Sequence, residues 1–273
     1  MRLAVLVSLV LLVAACDSAD DGPPRVDLQP GAELRYTTRF TTDGLFSGEA
    51  PLEETGRIVQ RVVSVGQPLG RLRGLTVVES EQVEDDRPET TFRTRTWYRA
   101  TDERLEEVAY EFYGDGPGGT GGLRPAGRVD LTLPRLVRRA LDRAGRRLTG
   151  RDSSWTFTGV RVRETPRVVL EYPAEAGRRW THIVLDGGAP SAGVSREVVG
   201  TETITTAAGT FRCIVVRSEG LFVAPGGSFE WLDWIADVGL VRRTIVSRDP
   251  VVNGDGSAGA SVSTERVELV AVD

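Results

Sequence analysis

Lysine is missing from this chain: all 34 Lys/Arg positions are arginine, a bias of the coding sequence that is not read as phosphate chemistry. Histidine occurs once, at His182, and cysteine twice, at Cys16 and Cys213. That scarcity removes most nucleophile and metal chemistry. No clustered His/Cys spacing could hold zinc, and neither G-x-S-x-G nor H-E-x-x-H occurs. Acids are plentiful, but no recognised motif places a carboxylate pair. The sequence therefore predicts a protein that is not an enzyme, with no catalytic residues, no metal site and no cofactor. A formal net charge of −5 argues against nucleic acid as a partner. No apolar run approaches the ~20 residues of a membrane-spanning helix.

What is present begins at the N-terminus. Met1-Arg2 and the apolar run Leu3–Val13 read as a signal peptide, residues 1–15. The run ends in Leu12-Val13-Ala14-Ala15-Cys16, which resembles the bacterial lipobox. The resemblance implies cleavage before Cys16, diacylation of its Sγ and acylation of the new α-amino group; the alternative is an ordinary secretory signal with an incidental cysteine. Three acyl chains at ~0.8 kcal/mol per buried CH₂ would fix the protein to a membrane. Asp17 resembles an inner-membrane retention signal, whereas Asp17-Ser18-Ala19-Asp20-Asp21 resembles the surface-export signal of Bacteroidota lipoproteins. The outer membrane is the favoured address. Residues 16–30 then read as the lipidated cysteine and a flexible, acidic, Pro/Gly-rich tether.

The rest is dominated by short β-branched and aromatic runs between glycine-containing turns. The clearest are Val198–Thr205, Phe211–Ser218, Phe229–Ile235 and Leu240–Ser247, four consecutive strands of an antiparallel meander. Earlier strands are expected over Glu33–Thr41, Arg57–Val65, Arg71–Glu81, Thr90–Arg99 and Leu105–Tyr113, with a polar connection over Asp43–Gly56. Trp155–Glu164, Arg167–Tyr172, Arg178–Asp186 and Ser261–Val272 complete the set. Asn253-Gly254-Asp255-Gly256 resembles a fragment of a calcium loop but lacks its terminal acid, and a hairpin turn accounts for it better. Cys213 shares a strand face with Phe211 and Val215 and reads as a small buried hydrophobe. A nucleophile pair with His182 would lack a third, orienting group.

Gly114–Gly127 reads as a linker, since a phosphate loop would need a following Lys-Ser/Thr. One amphipathic helix is expected over Pro134–Arg147. Its polar face carries Arg135, Arg138, Arg139, Arg143, Arg146 and Arg147, suited either to anionic lipid headgroups or simply to water while the apolar face covers the sheet. An ungapped shift aligns Val59–Ser80 with Val198–Glu219, which suggests two duplicated halves. The domain reading is an N-terminal meander over 31–113, linker and helix over 114–150, and a C-terminal meander over 151–273.

Ala176-Gly177-Arg178-Arg179-Trp180, Val199-Gly200-Thr201-Glu202, Ala208-Gly209-Thr210-Phe211 and Trp234-Ile235-Ala236-Asp237-Val238-Gly239-Leu240-Val241 together resemble a pattern of uncharacterised bacterial envelope lipoproteins. That pattern has the form G-x-x-W, V-G-x-E, A-G-T-F, W-x-A-x-x-G-L-V. The resemblance implies curved, incompletely closed β-barrels distantly like those of lipoprotein carriers. The expected fold is thus all-β with one amphipathic helix, its antiparallel meanders forming a curved sheet or incompletely closed barrel. Such a sheet offers a concave face for a lipid or other apolar ligand, with Phe211, Trp231 and Trp234 as lining candidates or else ordinary core aromatics. The competing reading is a structural lipoprotein that docks on an envelope protein and holds no small molecule.

Overall fold

Period-two alternation of buried and exposed side chains runs through most of the chain, and the backbone follows it. The computed structural model describes residues 22–43, 51–114, 136, 155–157, 160–183, 194–219, 227–252 and 256–273. Its strands are β1 (Glu33–Asp43), β2 (Leu52–Leu69), β3 (Leu72–Glu84), β4 (Arg87–Ala100), β5 (Arg104–Gly114), β6 (Trp155–Phe157) and β7 (Val160–Glu171). After them come β8 (Arg179–Ile183), β9 (Val194–Thr206), β10 (Gly209–Glu219), β11 (Ser228–Ala236), β12 (Gly239–Val252) and β13 (Ala258–Val272). All belong to one antiparallel sheet in the order β6-β7-β5-β4-β3-β2-β1-β13-β12-β11-β10-β9-β8, nearly closed into a barrel. The expectation of an all-β, incompletely closed barrel is met. Because β13 pairs with β1 on one side and β12 on the other, both meanders share one sheet.

Among the described residues the two ends of the sheet meet without a ladder. The indole Nε1–H of Trp180 on β8 donates to the Val168 carbonyl on β7 (3.1 Å), and so does Nδ1–H of His182 (2.7 Å). Arg196 on β9 donates to the Val169 carbonyl (3.0 Å). Side chains thus close a seam that backbone pairing leaves open.

Several strand bounds differ from the sequence reading, among them the start of β2 and the course of β7. β2 begins at Leu52 and not after Gly56, because backbone pairing with β1 (Leu52 opposite Thr42) needs no apolar side chain. β7 runs unbroken through Pro166, where two strands were expected. On the facing β5, register advances only from Glu107 to Ala109 while β7 advances from Arg167 to Val162. Pro166 therefore sits in a bulge, where its missing N–H costs no ladder bond. β12 and β13 pair as far as Val252 opposite Ala258, and Asn253, Gly254 and Asp255 of the calcium-loop resemblance lie outside the described residues; Pro250 lies beyond the last β11 partner, Arg248. Gly209 and Gly239 open β10 and β12 at φ of +138° and +112°, conformations that side chains rarely adopt. Gly70, which the duplication aligns with Gly209, instead lies in the β2–β3 turn.

Close packing makes Gly56 hard to replace. A Cβ there would stand 2.5 Å from the Val83 carbonyl oxygen and 3.0 Å from Thr38 Oγ1. Gly56→Ala is expected to lower stability by about 1–3 kcal/mol through strand separation, read as a fall in the urea midpoint at unchanged m-value.

Of the amphipathic helix only Leu136 is among the described residues; it is helical and 1% exposed, and its N–H donates to Glu265 Oε2 (2.9 Å). The arginines at 135, 138, 139, 143, 146 and 147, the 115–127 part of the linker, the signal peptide and Cys16 lie outside the described residues. The segment read as a tether is described from Gly22 onward, and it is held and not free. Arg25 stacks on the Tyr172 ring at 4.7 Å, Val26 N–H donates to Tyr172 Oη (3.1 Å), and Asp27 N–H donates to the Asp237 carbonyl (2.8 Å). The apolar residues Val26 and Leu28, embedded in an otherwise polar stretch, supply the physical reason: they find apolar surface at the barrel's end.

Candidate ligand cavity

Along β11 the inward positions are Trp231, Asp233 and Ile235, exposed by 1%, 1% and 4%. A carboxylate on such a face must be paired, and register supplies its partners. Arg243 on β12 lies directly opposite Asp233 and meets it with both arms: Nε to Oδ1 at 2.6 Å and Nη2 to Oδ2 at 3.0 Å. Arg196 reaches diagonally from the row of Ser218 and Trp231 and donates Nη2–H to Oδ2 (2.6 Å). Trp231 Nε1–H donates to Oδ1 (2.9 Å), so Asp233 accepts four hydrogen bonds. The indole ring lies between cations, 4.8 Å from the Arg196 guanidinium and 5.4 Å from that of Arg243, with His182 edge-on at 5.8 Å.

The electrostatics follow from this geometry. Burial alone would raise the Asp233 carboxyl, but the charges of Arg243 and Arg196 outweigh it and hold the group below the usual carboxylate range. Burial pulls Arg196 down to about 10 against the pull of Asp233, which leaves it charged at neutral pH. Burial, then the charges of Arg196 and Arg167, push His182 well below the usual imidazole range. His182 is therefore neutral. A carbonyl can only accept, so Nδ1 carries the hydrogen and Nε2 is left as an acceptor.

A second charged group faces it from β5 and β7. Glu107 Oε1 accepts from Arg163 (Nε, 2.8 Å), and Arg167 Nη1 donates to Oε2 (3.3 Å). Residues four apart on a regular strand lie ~13 Å apart; the Pro166 bulge lets both arginines reach one carboxylate.

Between these groups lies a cavity of about 200 Å³, far above the roughly 10–15 Å³ that holds one water. Its lining is layered. Under the Val26–Leu28 strap come Leu34, Leu105, Leu170 and Leu240, and two or three residues further along β5, β7 and β12 come Glu107, Arg167 and Arg243. On β11 the same step runs from the Asp237 turn past Ile235 to Asp233 and Trp231. One end is apolar and strapped, and the layer below it is charged.

Of the sequence candidates, Trp231 borders this cavity, while Trp234 and Phe211 do not. Trp234 donates to Glu202 Oε2 (2.7 Å) on the outer, solvent-facing side, because it alternates with Trp231 and Ile235. Phe211 packs beside Ile204 and Cys213. Cys213 is fully buried, its thiol pushed up to about 11 by burial and the charge of Glu202, and it does not share the cavity with His182. Among the described residues no three His, Cys, Asp or Glu side chains form a metal-ligating group. Arg196, Asp233, Arg243, Glu107 and Arg167 escaped the sequence reading. A charge in phase with Trp231 and Ile235, or with Val241 and Ile245, was the available signal.

The fold and cavity define a class: one antiparallel sheet nearly closed into a barrel around a charged, ligand-sized interior. A family model described as DUF3108-like matches residues 191–247, the β9–β12 region. Among solved structures, a protein described as exported and of YmcC-like fold, from Bacteroides fragilis, is similar at 14% identity and a TM-score of 0.42, over 92% of this chain and 99% of that one. A protein described as a lipoprotein, from Parabacteroides distasonis, is similar at 12% identity and a TM-score of 0.31, over 93% and 100%. No curated protein matches the chain.

Proposed function

We propose that this is a membrane-anchored envelope lipoprotein that binds a lipid or other amphiphile inside its barrel and does not transform it. The observation that carries the reading is the cavity of about 200 Å³, apolar under the Val26–Leu28 strap and charged below. Ligand sites of this kind are mostly apolar with a few fixed polar groups. The lipobox at Leu12–Cys16 supports anchoring, with the outer membrane as the favoured address. Cys16 stands six residues before Gly22, a reach of about 20 Å at full extension. The strapped, apolar end is thereby the one tethered toward the bilayer. Binding without turnover fits the saturated chemistry: Asp233 is taken up by four donors and His182 Nδ1–H by Val168.

The test is native mass spectrometry with lipid extraction on residues 16–273 carrying Cys16→Ser, the apolar run Leu3–Val13 left out so that no detergent is needed. A stoichiometric co-purifying amphiphile is the expected result. A clean apo mass, unchanged after incubation with envelope extract, would overturn the reading and leave docking on an envelope protein as the better account.

A further inference from the structure

Taking the cavity as a binding site, as proposed above, its charges say more about the occupant. Among the described lining residues, Arg167, Arg196 and Arg243 stand against Glu107 and Asp233, so cations outnumber acids three to two. Arg163, on the far side of Glu107, adds another cation to the same layer. Glu265, a further acid acting on Arg243, lies outside this lining. We infer that the cavity takes an amphiphile with a single anionic head, a carboxylate or phosphate ester, seated beside Trp231, His182, Arg196 and Arg243, its alkyl chain running toward Val26 and Leu28.

Three observations bear on this independently of the count. The first is the order of layers: on β5, β7, β11 and β12 alike, apolar lining nearest the strap gives way to charged lining deeper in. A head-down amphiphile matches both layers, whereas an all-apolar ligand would place its far end against charged side chains and offer them nothing polar. The second is that Arg243 keeps 21% of its side chain accessible although Asp233 beside it keeps 1%, so this cation has unfilled surface next to the carboxylate it pairs with. The third is the field at His182. Arg196, Arg167 and Arg243 all disfavour its protonation, and no carboxylate stands among the principal charges acting on it. The neutral imidazole thus sits in positive potential, the environment that favours an anion and rejects an ammonium.

The experiment compares four ten-carbon probes on residues 16–273 carrying Cys16→Ser: decanoate, decyl phosphate, decanol and decylamine, by titration calorimetry at low salt. Decanoate or decyl phosphate is expected to bind at least about tenfold more tightly than decanol, the worth of one charge-assisted hydrogen bond, and decylamine more weakly than either. Which anion binds better distinguishes an acyl carboxylate from a phosphate head. Arg243→Gln should collapse the anion-to-alcohol ratio to within about threefold, and Arg243→Lys should restore most of it. Decanol binding as tightly as both anions, or decylamine more tightly, would overturn the anion assignment while leaving the cavity reading intact. Binding of none of the four would remove the cavity reading itself. The wild-type series decides the question even if an Arg243 variant fails to fold.

Discussion

Asp233→Ala is expected to cost about 3–5 kcal/mol of stability, because it leaves Arg196, 2% exposed, as a buried cation without its counter-charge. The loss extends beyond one pair. Arg243 and the Trp231 indole also donate to this carboxylate, and each would be left with an unmet donor. Chemical denaturation at neutral pH checks the magnitude. A companion variant sharpens it: Asp233→Leu combined with Arg196→Met and Arg243→Met should recover much of the loss, since a well-packed apolar replacement avoids the desolvation of three charges. The same group predicts a pH dependence. Its folded-state pKa is lowered, so its contribution is fully present above the unfolded value near ~3.9 and disappears as pH falls through the folded value. Wild type should hold this increment from neutrality to about pH 5 and lose it on further acidification, whereas Asp233→Ala should show a shallower acid limb. Equal acid limbs for the two proteins would show that Asp233 is not the group responsible.

Trp231→Ala carries the second large effect, again about 3–5 kcal/mol. The side chain is among the largest fully buried ones, and two guanidinium groups and the His182 ring rest against it. Truncation removes the packing surface and the hydrogen bond to Asp233 together. Trp231→Phe separates these: it keeps an aromatic face for Arg196 and Arg243 and loses only the Nε1–H donor, so roughly 1–2 kcal/mol is expected. Thermal and urea melts of both variants provide the measurement. A Phe variant as unstable as the Ala variant would mean that the hydrogen bond, and not the ring, dominates.

These two residues also show what could be read from the chain alone. Strand positions were legible because Val, Ile and Thr alternate with polar residues and glycine marks the turns; Trp231 stands as a lining candidate together with Trp234 in the sequence reading, which does not use the strand's in-out phase to separate them. Trp234 was misplaced because a tryptophan reads as core whichever face it occupies; here it covers the outer face and bonds Glu202. The charged layer was not legible because its pairs join β9 to β11, β11 to β12 and β5 to β7. Which arginine meets which acid depends on register, and register depends on bulges such as the one at Pro166. Of these, Pro166 itself was a visible signal, as a proline within a β-branched run. The strap was hidden by its composition: Val26 and Leu28 are only two apolar residues in a stretch that otherwise reads as solvated.

The join between β7 and β8 has a consequence for how the wall behaves as a whole. Every other neighbouring pair of strands is sewn together by a backbone ladder, whereas here the indole, imidazole and guanidinium donors of Trp180, His182 and Arg196 grip two carbonyls. On the opposite side, at the middle of the strand order, β1 and β13 lie together, and Glu33 and Asp273 exchange both backbone hydrogen bonds. The molecule is built like a clasp, with its spine where the first and last strands meet and its catch at three side-chain bonds. Two of the three groups that hold the catch shut, His182 and Arg196, also line the interior, so whatever disturbs the charged layer is felt at the seam as well.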